Sequence, residues 1–241
     1  MPDRFVALLD LISSAHTLSG IEQALQNIRE VYGLANVIYH AIRIPGVESE
    51  SPIMLLTCDP QWTSLYMQRD YLRIDPIIKA GRRSFLPIDW REVDHSSVDA
   101  RHFFAEATRY GVGRRGMSWP IRGANGERAI FSVTSDVTEQ DWTTQRVVCL
   151  RDLQMIGQLI HDRAIRLAGF SLTLPKAPLS TREVQCLEAI SNGRTPKQIA
   201  VDLGISPSAV RIYLHSILGK LDCTTLPQAV GVAFHCNIIG A

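Results

Sequence analysis

Nowhere does the chain hold the roughly 18 to 20 consecutive apolar residues that a bilayer-spanning helix needs. Its opening segment, MPDRFVALLDLISSAH, carries Asp3 and Asp10 where a secretory leader would be basic and then greasy. Together these absences predict a cytoplasmic protein with no membrane partner. Cysteine is sparse as well. Cys58, Cys149, Cys186, Cys223 and Cys236 are odd in number and scattered, with no Cys-x-x-Cys and no histidine at zinc spacing, so buried reduced thiols are expected rather than a disulfide framework or a metal site. No nucleophile motif of the GxSxG kind occurs, and His95 and His102 lie in polar surroundings, which argues against an enzyme. The stretch GVGRRG, residues 111–116, satisfies GxGxxG, yet it follows a helical segment instead of a strand and runs into MSWPI, where Pro120 forbids a helix. No dinucleotide site follows from it. Those glycines are expected to turn the chain into a hairpin. Residues 1–60 also lack the acidic pair at a strand end that a phospho-accepting receiver domain requires, and no cofactor is implied.

What is present is enough apolar material, 46% of 241 residues with 20% charged, to bury a substantial core. Ser19 with Glu22 reads as a capping box opening a helix through Ile21, Leu25, Ile28 and Val31, which Gly33 ends. NVIYHAIRI (36–44) and PIMLLT (52–57) read as strands, and Asp59-Pro60 as the start of a helix through Trp62 and Tyr66. Residues 97–111 read as a further helix. MSWPIRG and RAIFSVTS flank the turn signal GANGE and are expected to pair. From Asp141 to about Ala168, Val147, Leu150, Leu153, Ile156, Leu159, Ile160 and Leu167 recur at helical spacing. The class that follows is α+β: an N-terminal α/β/α sandwich around an antiparallel sheet over 1–168, a Pro175- and Pro178-containing linker over 169–179, and a small all-α domain of four helices over 180–241.

Overall, 25 Lys and Arg nearly balance 24 Asp and Glu, but the balance is uneven along the chain. Between Ser206 and Leu221 no acid occurs, while Arg211, His215 and Lys220 do. This segment follows a short helix (196–203), a Gly204 turn and a Ser206-Pro207 start, the outline of a helix-turn-helix. Val210, Leu214, Ile217, Leu218 and Leu221 form its apolar stripe, leaving Ser208, Arg211, His215 and Gly219 elsewhere. A helix face without carboxylates suits a DNA major groove, where acids would meet phosphates and base acceptors at repulsive distance. Arg211 is placed for a guanine edge and His215 for a second base, with Ser206 and Ser208 for phosphates.

The segment from Leu179 to Leu221 resembles the LuxR-type, GerE-like helix-turn-helix through Leu179, Arg182, Glu183, Gly193, Ile199, Ala200, Leu203, Ile205, Ser206, Val210, Arg211, Lys220 and Leu221. Thr195, Lys197 and Lys220 complete the expected DNA-contacting set. Gln198, Ala209 and Tyr213 depart from the residues usual at their positions.

Upstream, Trp62 and Tyr66 share a helix face and are followed by Tyr71, Asp75-Pro76 and Trp90. By themselves these fit either an aromatic core with Asp75 as an N-cap or a closed pocket for a small amide-bearing ligand. Their spacing is similar to that of the autoinducer-binding domain of acyl-homoserine-lactone-responsive LuxR-type regulators, with Gly116 before the hairpin. That resemblance implies that Trp62 donates to a lactone carbonyl, Asp75 accepts the amide N–H and Ser132 faces the acyl carbonyl. Tyr66, Trp90 and Phe103 would wall the ligand. Cys58 stands where a tyrosine commonly bonds the acyl carbonyl, which weakens the polar grip there. The implied function is a quorum-sensing transcription factor: a homodimer that binds an N-acyl-homoserine lactone, double-stranded promoter DNA and RNA polymerase. A regulator of another ligand or of none, and an enzyme acting on acyl amides or lactones, remain as alternatives.

Overall fold

In the strand from residue 36, Val37, Tyr39 and Ala41 point to one side and Ile38, His40 and Ile42 to the other, and apolar layers cover both sides. The structure is a computed structural model that describes residues 2–45, 47, 53–123, 126–170, 177–236 and 238–240. Its strands, β1 (Asn36–Arg43), β2 (Ile53–Leu56), β3 (Ile88–Asp89), β4 (Arg115–Arg122) and β5 (Arg128–Ser135), form one antiparallel sheet in the order β2-β1-β5-β4-β3. The helices of this unit are α1 (Pro2–Ser14), α2 (Leu18–Tyr32), α3 (Pro60–Gln68), α4 (Pro76–Gly81), α5 (Val98–Arg109) and α6 (Glu139–Leu167). The chain divides into two compact units at Phe170. The predicted 169–179 linker falls mainly on residues outside those described.

On one face of the sheet α1, α2 and α6 bury Leu8, Ile12, Ile21, Leu25, Ile28, Trp142, Leu153, Ile156 and Ile160 against Val37, Tyr39, Phe131 and Val133. On the other face α3, α4 and α5 close an aromatic layer over Ile42 and Ile130. This is the expected α/β/α sandwich. Two local details differ from the sequence reading. Helix α1 had no counterpart there, and α2 starts earlier than Ser19-Glu22 suggested. Thr17 is its N-cap: an extended backbone (φ −141, ψ 160) lets its hydroxyl accept from Gly20 N at 3.1 Å. Ser19 therefore lies inside the first turn.

Register carries the geometry to the site. Ile38 pairs with Ser132 and His40 with Ile130 across β1 and β5, and Ser118 pairs with Ser132 across β4 and β5. GVGRRG leaves α5 and enters β4, with Gly111 and Gly113 at φ 70 and 118, the turn into the hairpin.

The second unit holds α7 (Thr181–Ser191), α8 (Pro196–Asp202), α9 (Pro207–Lys220) and α10 (Leu226–His235) around Cys186, Leu187, Ile199, Val210, Leu214, Ile217, Ala229 and Ala233. Both α7 and α8 open with a capping box, Ser180 with Glu183 and Thr195 with Gln198. Gln198 thus keeps the acceptor function that a glutamate would supply: its Oε1 takes the Thr195 N–H at 2.9 Å.

Candidate ligand cavity and nucleic-acid interface

Asp59 and Asp75, each followed by proline, start α3 and α4 by accepting the N–H of Gln61 and of Ile77, both at 2.7 Å. Only Asp75 is turned inward. At 6% exposure it lines a cavity together with Trp62, Tyr66, Trp90, Phe103 and Ser132. The N-cap reading of Asp75 holds, since its Oδ1 caps α4, while Oδ2 accepts from Tyr66 Oη at 2.9 Å.

The aromatic wall is continuous. Trp62 stacks on Tyr71 with ring centres 5.8 Å apart and meets Tyr66 and Phe103 edge-on at 5.9 and 5.8 Å. Opposite, Trp90 Nε1 donates to Ser118 Oγ at 2.8 Å, and Ser118 and Ser132 share a hydrogen bond of 2.7 Å. This chain fixes Trp90 and ends on the Ser132 hydroxyl at the cavity surface. Gly116 makes the arrangement sterically possible, because a Cβ there would come within 2.6 Å of the Trp90 ring.

Burial governs the electrostatics. Desolvation raises the Asp75 carboxyl from its ordinary 3.8 to about 6, against the pull of Tyr66 and the Ile77 and Ile78 N–H groups. The Tyr66 phenol is driven well above its ordinary range by burial and then by the Asp75 charge. His40, also on the lining, is lowered to about 4 by burial and is neutral at pH 7. The cavity therefore offers a carboxylate acceptor and a hydroxyl within aromatic and aliphatic walls. It suits a small, largely apolar molecule that carries an amide and carbonyls.

Six of the seven expected ligand residues border this cavity. Cys58 does not: it sits between β2 and the Asp59 cap and packs inside the aromatic layer, where desolvation raises its thiol to about 12. Ser118, which anchors Trp90, and His40 are site residues that sequence reasoning missed. Strand alternation put His40 on one face, but only packing reveals that this face borders the cavity.

In the second unit Ser206 caps α9, its Oγ accepting Ala209 N at 3.1 Å, and Thr195 caps α8 by accepting from Gln198 N at 3.4 Å. Ser206, Ser208, Arg211, His215, Thr195 and Lys197 are all exposed. Lys220 departs from the expected set. Its Nζ bonds Glu183 Oε2 at 2.8 Å and Pro178 O at 3.2 Å, tying α9 to the start of α7. Glu183, 3% exposed, also accepts from Ser216 Oγ at 2.6 Å and Ser180 N at 2.6 Å. Burial alone would raise its carboxyl, but these bonds outweigh it and hold it at about 2. A cation balancing a buried carboxylate is occupied within the domain, so Lys220 is a structural residue here.

A cavity walled by aromatic and aliphatic side chains in one unit and a helix-turn-helix in the other fit the architecture of a ligand-responsive transcriptional regulator. Residues 17–164 match the autoinducer binding domain family, and residues 177–233 match the bacterial regulatory proteins of the luxR family. The chain is 43% identical to the transcriptional activator protein RaiR of Rhizobium etli over 189 residues, 78% of each chain. Its fold is similar to that of Escherichia coli SdiA, with a TM-score of 0.68, 18% identity and 98% coverage of both chains. It is also similar to CepR2 of Burkholderia cenocepacia, described as an N-acylhomoserine lactone dependent LuxR family factor, with a TM-score of 0.56 and 18% identity over 67% of this chain and 96% of that one. The chain belongs to the LuxR family of quorum-sensing transcriptional regulators and carries an autoinducer-binding domain and a DNA-binding domain. Among the described residues no helix is long and apolar enough to cross a membrane, and no group of three His, Cys, Asp or Glu is arranged to hold a metal.

Proposed function

We propose that the protein is a cytoplasmic transcriptional activator that binds an N-acyl-homoserine lactone and, as a homodimer, reads a two-fold promoter site and engages RNA polymerase. The observation that carries the ligand assignment is the placement of the buried Asp75 carboxylate, the Ser132 hydroxyl and the Trp62 indole on one apolar cavity. In this reading Asp75 accepts the amide N–H, Ser132 donates to the acyl carbonyl and Trp62 donates to the lactone carbonyl, with Tyr66, Trp90 and Phe103 packing around the ring and chain. The relatives' designation as activators supports the direction of the response.

The coupling is thermodynamic. A ligand that satisfies groups otherwise buried at a cost stabilises the folded sensor by a few kcal/mol at saturation, about 2.7 kcal/mol at a hundredfold excess over Kd. The ordered sensor then presents α6 for pairing, and two linked helix-turn-helix units gain from effective concentration on a palindrome. Arg211, His215, Ser206, Ser208, Thr195 and Lys197 form the proposed DNA contacts. Mass spectrometry of the protein purified from cells supplied with N-acyl-homoserine lactones tests the ligand assignment: one lactone is expected at near-stoichiometric occupancy. Recovery of soluble protein with no lactone, or with an acyl compound that lacks the lactone ring, would overturn it.

A further inference from the structure

The sheet supplies one side of the ligand cavity, and one residue there is out of character with its neighbours. Strand alternation places Ile38 and His40 of β1, Met54 and Leu56 of β2, and Ile130 and Ser132 of β5 on the cavity lining. Four of these six are apolar, Ser132 is the hydroxyl proposed to meet an acyl carbonyl, and the sixth is an imidazole. His40 is 4% exposed, is flanked across the ladder by Met54 and Ile130, and is met edge-on by Tyr66 with ring centres 6.2 Å apart. An aliphatic side chain would fill the same volume without taking two ring nitrogens out of water, so packing alone does not call for a histidine. Its position is defined by the register. Ile38 stands directly across from Ser132, so His40, two residues further along β1, is the diagonal neighbour of Ser132 on the same face, about 7 to 8 Å away between backbones. Tyr66, its aromatic neighbour, bonds Asp75 Oδ2 at 2.9 Å. His40 thus lies beside both groups proposed to hold a ligand's amide, within reach of the first carbons of the chain that continues from it.

We propose that His40 selects a lactone whose acyl chain carries an oxygen on its third carbon, as a ketone or a hydroxyl, by donating a hydrogen bond to that oxygen. The proposal rests on the assignment of the cavity to an N-acyl-homoserine lactone. The third carbon is singled out because its oxygen stands two carbons from the acyl carbonyl, a separation that side chains on a diagonal pair of this spacing can bracket. Burial lowers His40 to about 4, so at pH 7 the ring is neutral, with one N–H and one bare nitrogen. Such a ring can hold a protein group at one edge and a ligand oxygen at the other. A plain acyl chain would instead lay methylene groups against that edge and forgo the bond.

The test titrates the full chain at pH 7 with the plain, 3-oxo and 3-hydroxy forms of octanoyl- and dodecanoyl-homoserine lactone. At the chain length that binds more tightly, the wild type is expected to prefer both oxygenated forms over the plain one by about tenfold, the worth of one well-made hydrogen bond. In His40→Leu the three forms should bind alike. His40→Gln, which keeps a side-chain N–H at a different reach, should narrow the preference, and it serves alone if His40→Leu does not fold. Equal affinity of the wild type for the three forms, a preference for the plain chain, or a preference that persists unchanged in the variants would overturn the inference while leaving lactone sensing intact. Binding of none of the six compounds would instead remove the lactone reading on which the inference stands.

Discussion

At Asp75 two demands meet in one side chain. Oδ1 serves the fold by capping α4, and Oδ2, partnered by Tyr66, faces the cavity. Because its folded carboxyl sits near pH 6 and its unfolded value is 3.8, the group favours the folded state most below about 3.8; that contribution declines as the pH rises to about 6 and is absent above it. At neutral pH the empty sensor therefore holds a carboxylate that burial disfavours, at a cost of about 3 kcal/mol. An amide N–H donated by a ligand offsets that cost by stabilising the charged form. Affinity for an amide-bearing lactone is thus expected to be flat above pH 6 and to fall as the pH drops below it, up to tenfold per unit. His40 does not blur this window, since it becomes charged only near pH 4. Calorimetric titration between pH 5 and 7 with N-octanoyl-homoserine lactone checks the slope. Asp75→Asn should abolish the slope, weaken binding at neutral pH at least tenfold and leave the ligand-free protein no less stable. A variant that kept the slope would show that another group sets it.

At the scale of elements, the bond between α7 and α9 matters more than a sequence reading allows. Lys220 was expected among the DNA contacts, but its partner Glu183 lies 37 residues away and no periodicity reveals it. Lys220→Ala is expected to lower the stability of the DNA-binding unit by about 1 to 3 kcal/mol, the partial exposure of the lysine keeping the loss at the lower end. The slope of DNA affinity against salt should be unchanged, whereas loss of a phosphate contact would reduce it by about one. Glu183 supplies the pH signature: its folded carboxyl at about 2, below the ordinary 4.5, contributes stability that is complete above pH 4.5 and lost as the pH falls toward 2. Acid unfolding of the second unit should lose that component in Glu183→Gln, as followed by circular dichroism. The same contrast between local and distant determinants explains what was legible. Proline-after-aspartate starts, the 128–135 strand pattern and the α6 periodicity are local, and each element stands where the sequence placed it. Helix α1 was illegible because few buried anchors, Leu8 and Ile12 among them, hold it and no capping motif announces it. Cys58 was misplaced because β2 ends at Leu56: the alternation that turns Met54 and Leu56 to the cavity stops before residue 58, where the chain turns toward the Asp59 cap.

On the proposed function the whole molecule converts an occupied cavity into a preference for paired DNA sites, and α6 is the element proposed to make the conversion. Its inner side packs Leu153, Ile156, Ile160 and Ala164 into the core of the sensor, while Val147 and Met155, 62% and 58% exposed, stand on the opposite stripe. In the proposed homodimer this exposed apolar pair on a 29-residue helix would pack against the same surface of a second copy under two-fold symmetry. Joining two DNA-binding units in this way raises affinity for a full palindrome over a half-site by about 10² to 10⁴ without any new base contact. Replacing both residues, Val147→Glu with Met155→Glu, should leave the unfolding temperature and lactone binding unchanged, because neither side chain is in the core. At saturating lactone the double variant should elute as a monomer where the wild type elutes as a dimer. On DNA it should bind a half-site as the wild type does while losing about a hundredfold or more on the palindrome. A double variant that remains dimeric, or that loses half-site and palindrome affinity equally, would place the pairing surface elsewhere than on α6.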